Sequence, residues 1–196
     1  FTYTNLVGVV VVGVAFFDRK KELSELEAVL DSDKFELAVI YGRRRVGKTA
    51  LVLESSKHKK RVYFLATTEK NLERFASACS EFDSGAAGLK ADYEVLFNYL
   101  KDRAEVVVVD EFQNLIKENP GAVSLFQAVV DTKLKDSKLK LILSGSSVSL
   151  MTSRVLSYKS PLYGRRTASF KLKPIPFFDL HEFFPKASVE ELMEVY

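Results

Sequence analysis

The stretch "AVIYGRRRVGKTALVLESS", residues 38–56, contains the pattern on which the expected fold depends. Gly42, Gly47, Lys48 and Thr49 have the spacing G-x-x-x-x-G-K-[ST] of a phosphate-binding loop. An apolar, β-rich run ends at the first glycine, and a helical pattern follows the second. In such a strand–loop–helix unit, successive backbone N–H groups and the positive end of the helix surround an anion. The stretch therefore predicts a site for the phosphates of a nucleotide.

Three residues of this loop have expected roles that follow from the chemistry of phosphate. Gly47 lets the backbone pass close to the anion without a side chain in the way. Lys48 is expected to reach the β- and γ-phosphates, and the Thr49 hydroxyl is expected to ligate Mg²⁺. The predicted ligand is a magnesium-bound nucleoside triphosphate.

The stretch "VVVVDE", residues 106–111, supplies the acidic groups that a nucleotide hydrolase needs. Four valines predict a buried strand that delivers Asp110 to its carboxyl end, beside the loop. Asp110 would hold Mg²⁺ through its water shell, and Glu111 can accept a proton from the attacking water. Alone, the pair would be two acids at a strand end; together with the loop, it predicts hydrolysis.

A third polar group follows the run "LKLILSGSS", residues 139–147. Ser146, with Ser144 as second choice, is the candidate for a side chain that faces the γ-phosphate from the tip of an intervening strand. A serine-rich turn after any strand would give the same pattern, so both interpretations stay open.

The remaining chain alternates helical and strand patterns. Helices are expected at about 18–33, 47–56, 70–83, 91–102 and 121–134. Strands are expected at 35–42, 61–67, 105–112, 139–147 and 167–174. Because the strands are nearly continuous in Val, Ile and Leu, they predict a mostly parallel sheet with helices on both faces, the α/β class.

Composition limits the other classes of function. The chain has 196 residues and a net charge of +3, which is too small to indicate a nucleic-acid or membrane partner by itself. Cys79 is the single cysteine, so an internal disulfide and a cysteine-based metal site are excluded. The apolar run at 6–17 is too short to span a membrane, and no Lys or Arg precedes it, which favours a strand or a trimmed end over targeting. We expect a cytoplasmic location and leave residues 1–15 as an apolar segment of uncertain status.

Several stretches, taken together, resemble the archaeal ATPase family, in the STAND branch close to AAA+ ATPases. They are "FFDRKKEL" (16–23), "VIYGRRRVGKTALV" (39–52), "VVVVDEFQNLI" (106–116), "LILSGSSVSLM" (141–151) and "SPLYGRR" (160–166). The resemblance implies a three-layer ATPase core at 16–196 with sheet order 5-1-4-3-2, which binds ATP and Mg²⁺. It also implies a C-terminal helical lid and often a winged-helix domain, so we expect a core cut from a longer protein.

The resemblance also assigns site residues. Those expected to bind the nucleotide are Arg19, Gly42, Arg43, Arg44, Arg45, Val46, Gly47, Lys48, Thr49 and Ala50. Arg19 matches a position near the base and its phosphates, and Phe16 and Phe17 either pack against adenine or belong to the core. Arg165 either contacts the γ-phosphate or a neighbouring subunit, or pairs with a surface carboxylate.

The three consecutive arginines, Arg43 to Arg45, occupy positions where the loop contributes mainly backbone N–H groups. Their side chains are expected to pair with acidic residues of the flanking helices. The alternatives are that they face a partner domain or contact a nucleic-acid backbone; the small net charge makes the last less favoured.

The leading hypothesis is therefore a Mg²⁺-dependent ATPase that works as a conformational switch with an unknown protein partner. The first alternative is a DNA-associated loader or motor with DNA-stimulated turnover. The second is a scaffold that binds ATP or ADP without turnover. The chain has no clear Asn-Lys-x-Asp stretch for guanine, which weighs against a GTPase.

Overall fold

Five parallel strands organise the part of the chain that the structure, a computed structural model, describes, residues 19–174. The strands are β1 (Glu36–Tyr41), β2 (Arg61–Leu65), β3 (Val106–Asp110), β4 (Lys140–Gly145) and β5 (Ala168–Lys171). Their order across the sheet is β2-β3-β4-β1-β5, and every pairing is parallel. Read from the opposite edge, this is the predicted order 5-1-4-3-2, which is confirmed.

Helices cover both faces of the sheet. They are α1 (Lys20–Leu30), α2 (Lys48–Ser55), α3 (Asn71–Phe82), α4 (Tyr93–Leu100), α5 (Gln113–Glu118), α6 (Ala122–Val129) and α7 (Val148–Leu150). α6 continues as a π-helical turn over Val130–Leu134, and α7 continues likewise over Met151–Leu156. Short 3₁₀ turns occur at Ser84–Ala86 and Tyr163–Arg165. None of these helices, within the described residues, is long and apolar enough to cross a membrane.

The core has two halves because side chains of a strand point alternately to opposite faces of the sheet. Leu37 and Val39 of β1 belong to the larger half, which contains buried rings such as Phe75. Ala38 and Ile40 belong to the smaller half, which α1 and α2 cover with leucine and valine side chains. β1, β3 and β4 are buried along almost their whole length, as the continuous apolar runs predict. The three-layer α/β arrangement is thus confirmed.

The expected elements at 18–174 are found with shifts of a few residues at their ends. Sequence patterns missed two helical pieces, α5 and α7 with its π-helical continuation, because each lies in a short stretch between stronger signals. The apolar segment at 1–15, the phenylalanines at 16 and 17, and the C-terminal part from 175 lie outside the described residues.

The exit of β1 lies against the exit of β5. Leu172 donates its N–H to the carbonyl of Tyr41 at 2.8 Å, just past the last paired strand residues. A Cβ atom added to Gly42 would lie 2.3 Å from the carbonyl oxygen of Leu172. Gly42 is therefore required by this close backbone approach.

We expect Gly42→Ala to lower the free energy of unfolding by about 1–3 kcal/mol, because backbone on both sides must move to relieve the clash. Urea unfolding followed by circular dichroism measures this loss. Gly88→Ala is the matched control, since an added Cβ there has no neighbour within 4 Å. Equal effects of the two substitutions would contradict the assigned close approach.

Candidate nucleotide-binding site

The loop between β1 and α2 has a backbone arranged for an anion. Arg45 has a φ of 64° and Gly47 a φ of 86°, both in the left-handed region. Gly47 is the N-cap residue of α2, and no side chain of a described residue makes a cap hydrogen bond there. Val46 is buried against the smaller half of the core and anchors the loop. The first N–H groups of the helix are therefore open to a phosphate, as the pattern predicts.

Lys48 lies at the centre of this loop. Its side chain is almost fully buried, and Nζ donates to the carbonyls of Gly42 at 3.1 Å and Arg43 at 2.9 Å. Burial lowers the pKa of the Lys48 amine from its ordinary value, while the charges of Glu111 and Asp110 act in the opposite direction. The amine is thus held where it can exchange loop carbonyls for phosphate oxygens.

Asp110 joins the loop to β3. Its Oδ2 accepts a hydrogen bond from Thr49 Oγ1 at 2.9 Å and one from the Tyr63 hydroxyl at 2.6 Å. Its Oδ1 accepts from the N–H of Glu111 at 2.9 Å. The two residues that sequence reasoning chose for the metal, Thr49 and Asp110, are therefore in direct contact.

Tyr63 is a site residue that sequence reasoning missed. It lies on β2, beside β3, and burial together with the charge of Asp110 raises the pKa of its hydroxyl well above the ordinary value. The hydroxyl therefore stays a donor to Asp110. Only the strand order places β2 next to β3, so Tyr63 could have been found once that order was assumed.

Glu111, Ser146 and Gln113 form a second hydrogen-bonded group. Ser146 Oγ donates to Glu111 Oε2 at 2.6 Å, and the Gln113 amide donates both to Glu111 Oε2 and, at 3.1 Å, to Ser146 Oγ. The N–H of Ser146 donates back to Gln113 Oε1 at 3.2 Å. Ser146, rather than the buried Ser144, is thus the serine that meets Glu111.

Gln113 was missed although it lies in the quoted stretch "DEFQ". Its side chain is only 3% exposed, so its amide is committed to these partners. Glu111 has a φ of 53°, a left-handed conformation that costs a residue with a side chain about 1 kcal/mol or more. Strain at the proposed base, held by a buried amide, is the kind of arrangement found at functional sites.

Arg19 lies against the backbone of the phosphate-binding loop. Its guanidinium is 6% exposed, and Nη2 donates to the carbonyl of Val46 at 3.0 Å and to that of Lys173 at 2.6 Å. Nη1 also pairs with Glu22 at 3.3 Å. Arg19 therefore binds the loop backbone and the exit of β5; its contact with base or phosphates stays a prediction.

Arg165 has the second of its two expected roles. Its Nε and Nη2 form a forked pair with Asp131, at 3.0 and 2.8 Å, which lowers the pKa of that carboxyl. Arg165 is not among the residues that line the cavity at the loop. The structure thus shows the surface pair that was one of the two expectations, and contact with the γ-phosphate or a neighbouring subunit stays a prediction.

The expected pairing of the three loop arginines with acidic residues is not seen between residues 19 and 174. Arg43, Arg44 and Arg45 are exposed, and none has a hydrogen bond or ion pair from its side chain to another residue in that range. Arg44 and Arg45 line the cavity, while Arg43 does not. The side chains of all three arginines are thus exposed, and those of Arg44 and Arg45 border the cavity.

A cavity of about 720 Å³ opens above the loop at the carboxyl edge of the sheet. It is lined by Arg44, Arg45, Gly47, Lys48, Thr49, Ala50, Leu65, Ala66, Thr67, Thr68, Glu111 and Asn114. Its size is within the range of ligand sites, and its position follows the rule that open α/β sheets bind ligands beyond the carboxyl ends of their strands.

Comparison with known proteins agrees with this geometry. The model of a family described as an ATPase domain predominantly from Archaea matches residues 16–195. The chain therefore belongs to this family of archaeal ATPases.

Two relatives come from Methanocaldococcus jannaschii. An uncharacterized protein is 52% identical over 181 residues, which are 92% of this chain and 41% of that protein. An uncharacterized ATP-binding protein is 47% identical over 47 residues, which are 24% of this chain and 80% of that protein. The chain thus spans less than half the length of the first relative.

Solved structures share the fold. The Walker-type ATPase of Pyrococcus abyssi has a TM-score of 0.67 and 24% identity, and the match covers 92% of this chain and 62% of that one. The ORC2 protein of Aeropyrum pernix, solved in ADPNP-ADP complexes, has a TM-score of 0.68 and 19% identity, with coverage of 92% and 52%.

We expect Arg19→Ala to weaken the binding of a fluorescent ATP analogue by about tenfold or more, because the loop loses a charge-assisted hydrogen bond at Val46. Arg165→Ala, which breaks a surface pair instead, should leave this affinity within about twofold. A loss of affinity in Arg165→Ala alone would restore its γ-phosphate role.

Proposed function

We propose that this chain is the core of a Mg²⁺-dependent ATPase that works as a conformational switch. The observation that carries the proposal is the 2.9 Å hydrogen bond between Thr49 Oγ1 and Asp110 Oδ2. It brings the phosphate-binding loop and the acidic strand end together with Lys48 and Glu111. Adenine as the base is supported by the ATPase family and by the solved relative in ADPNP-ADP complexes.

The residues at Asp110 fit a magnesium ion. Mg²⁺ prefers hard oxygen ligands, and this position offers a carboxylate and the Thr49 hydroxyl beside it. Asp110 is 3% exposed, and every hydrogen bond that it has with a described residue is accepted by its oxygens. Thr49 and Asp110 would hold the ion, which would neutralise phosphate charge.

The chain's own groups would then position the triphosphate and the attacking water. Lys48 would give up the carbonyls of Gly42 and Arg43 and donate to β- and γ-phosphate oxygens. The N–H groups at the start of α2 would surround the β-phosphate. Glu111 would accept the proton of the water, because its carboxylate projects from the end of β3 into the same cavity.

The switch would use the hydrogen-bonded group of Glu111, Gln113 and Ser146. A γ-phosphate that takes the Ser146 hydroxyl as donor removes one of the hydrogen bonds that hold Glu111. Glu111 would then be free to turn toward water. The helical lid and the winged-helix domain remain expectations of the family resemblance, and the cytoplasmic location and an unknown protein partner remain expectations from the sequence.

The DNA-associated alternative has one supporting observation. The three loop arginines are exposed and carry no ion pair within residues 19–174. A scaffold without turnover is less favoured, since the chain keeps the acids that hydrolysis would use, with Asp110 bonded to Thr49 and Glu111 to Ser146.

We expect Lys48→Ala to abolish ATP binding, and Glu111→Gln to retain binding while turnover falls by about 10²-fold or more. Steady-state phosphate release with Mg²⁺ and equilibrium binding of a fluorescent ATP analogue separate the two effects. Lys90→Ala, at an exposed position, is the control. Normal turnover in Glu111→Gln would remove Glu111 from its role; binding without turnover in the unaltered chain would favour the scaffold.

We expect Gln113→Ala to lower kcat by about tenfold with little change in KM, because Glu111 and Ser146 lose their common partner while the loop is untouched. Gln127→Ala, which removes a long hydrogen bond to Asp131, is the matched control. An equal change in KM and kcat, or an equal effect of the control, would mean that Gln113 has only a structural role.

A further inference from the structure

Five exposed cations form what we name the basic surface, at the carboxyl end of β1 and β5. Its members are Arg43, Arg44, Arg45, Lys171 and Lys173. Lys171 ends the edge strand β5 and Lys173 follows two residues later, alternating with the buried side chains of Phe170 and Leu172. The lysines therefore stand together on its outer face.

Close contacts of the backbone bring the two halves of the basic surface together. The position of Gly42, next to Arg43, approaches the carbonyl of Leu172, which lies between the two lysines. The same Arg19 nitrogen binds the carbonyls of Val46 and Lys173, at 3.0 and 2.6 Å. The loop arginines and the strand lysines thus extend from two backbone segments that one guanidinium joins.

The basic surface lacks counter-ions among residues 19–174. Neither Lys171 nor Lys173 has an ion pair or side-chain hydrogen bond within that range, and the same holds for the three arginines. The chain from 137 to 178 contains no Asp or Glu. Its basic residues are Lys138, Lys140, Arg154, Lys159, Arg165, Arg166, Lys171 and Lys173. Of these, Lys171 and Lys173 belong to the basic surface, and this stretch offers no acidic residue to neutralise them.

We infer that the basic surface binds the phosphate backbone of a double-stranded nucleic acid, next to the nucleotide of the proposed ATPase. A protein partner would need an apolar centre. The exposed large apolar side chains of residues 19–174 are Leu65, Val95, Tyr158 and Tyr163, and none belongs to the surface. Backbone binding needs only cations, and the lack of an aromatic side chain in the surface disfavours stacking on single-stranded bases.

Edge lysines also protect a sheet from pairing with another sheet, which gives Lys171 and Lys173 a second reason to be there. That reason does not extend to the arginines, which lie in a loop. Because Arg44 and Arg45 line the nucleotide cavity, a duplex on this surface would contact the same loop that holds the triphosphate. The inference rests on the proposed function only for this coupling; binding itself does not require turnover.

The test uses Lys171→Glu/Lys173→Glu in the 196-residue chain, because these lysines lie outside the nucleotide cavity. The control is Lys90→Glu/Lys135→Glu, which makes the same change in net charge at exposed positions elsewhere. Fluorescence anisotropy with short labelled DNA and RNA duplexes is measured without nucleotide and with ATP, over a range of KCl concentrations. Binding of a fluorescent ATP analogue is measured for each variant.

We expect the first variant to bind duplex about tenfold or more weakly and to lose about 2 from the slope of log K against log salt. The control variant should keep both, and ATP binding should be unchanged in each. Comparison of the affinities for the DNA duplex and the RNA duplex shows which nucleic acid the basic surface prefers.

Three results would overturn the inference: no duplex binding by the unaltered chain, an equal loss in the control, or tighter binding of poly-glutamate than of duplex at the same salt. The last would identify an acidic protein partner. If the chain binds duplex but does not hydrolyse ATP, the proposed ATPase activity is contradicted while the inference about the basic surface is supported.

Discussion

The hydrogen bond from Thr49 to Asp110 is the contact on which the rest of the site depends. The two residues are 61 positions apart in the chain: Thr49 lies in α2, just after the loop that follows β1, and Asp110 ends β3, which is not a neighbour of β1 in the sheet. They meet because β4 is inserted between those strands and all three end at the same edge. The sheet order therefore brings a loop for phosphate, a buried carboxylate and the Ser146 hydroxyl to the same edge of the sheet.

Much of this arrangement could be predicted from the sequence because its signals are local. The spacing of Gly42, Gly47, Lys48 and Thr49 specifies a backbone shape, and continuous valines before Asp110 specify a buried strand. The family resemblance then supplied the order of strands, which local patterns do not contain. With that order, the meeting of loop and carboxylate follows from the geometry of parallel strands.

The parts that escaped prediction depend on contacts between distant residues. In the sequence Gln113 is an ordinary polar residue. Its role becomes visible only in the fold, where the end of β4 places Ser146 beside it. In the sequence Tyr63 is an ordinary strand residue. Its hydrogen bond to Asp110 depends on β2 lying next to β3. For Arg165 the sequence left open a phosphate contact or a surface carboxylate, and only the structure identifies its partner as Asp131, 34 residues earlier. Side-chain partners of this kind are decided by tertiary packing, and spacing alone contains no information about them.

The double hydrogen bond of Arg19 has a mechanical consequence. Its guanidinium ties the carbonyl of Val46 in the loop to that of Lys173, where the chain leaves the edge strand. Tension applied to the backbone at residue 174 would act first on this side chain, because, going back from that residue, Lys173 is reached before Leu172, whose N–H is bonded to Tyr41 at the end of β1. The tether consists of two hydrogen bonds, so it would release under a smaller load than β5, whose removal breaks a ladder of backbone bonds to β1. A force applied at the carboxyl end of the sheet could therefore displace the loop of the candidate nucleotide site while the core stays folded.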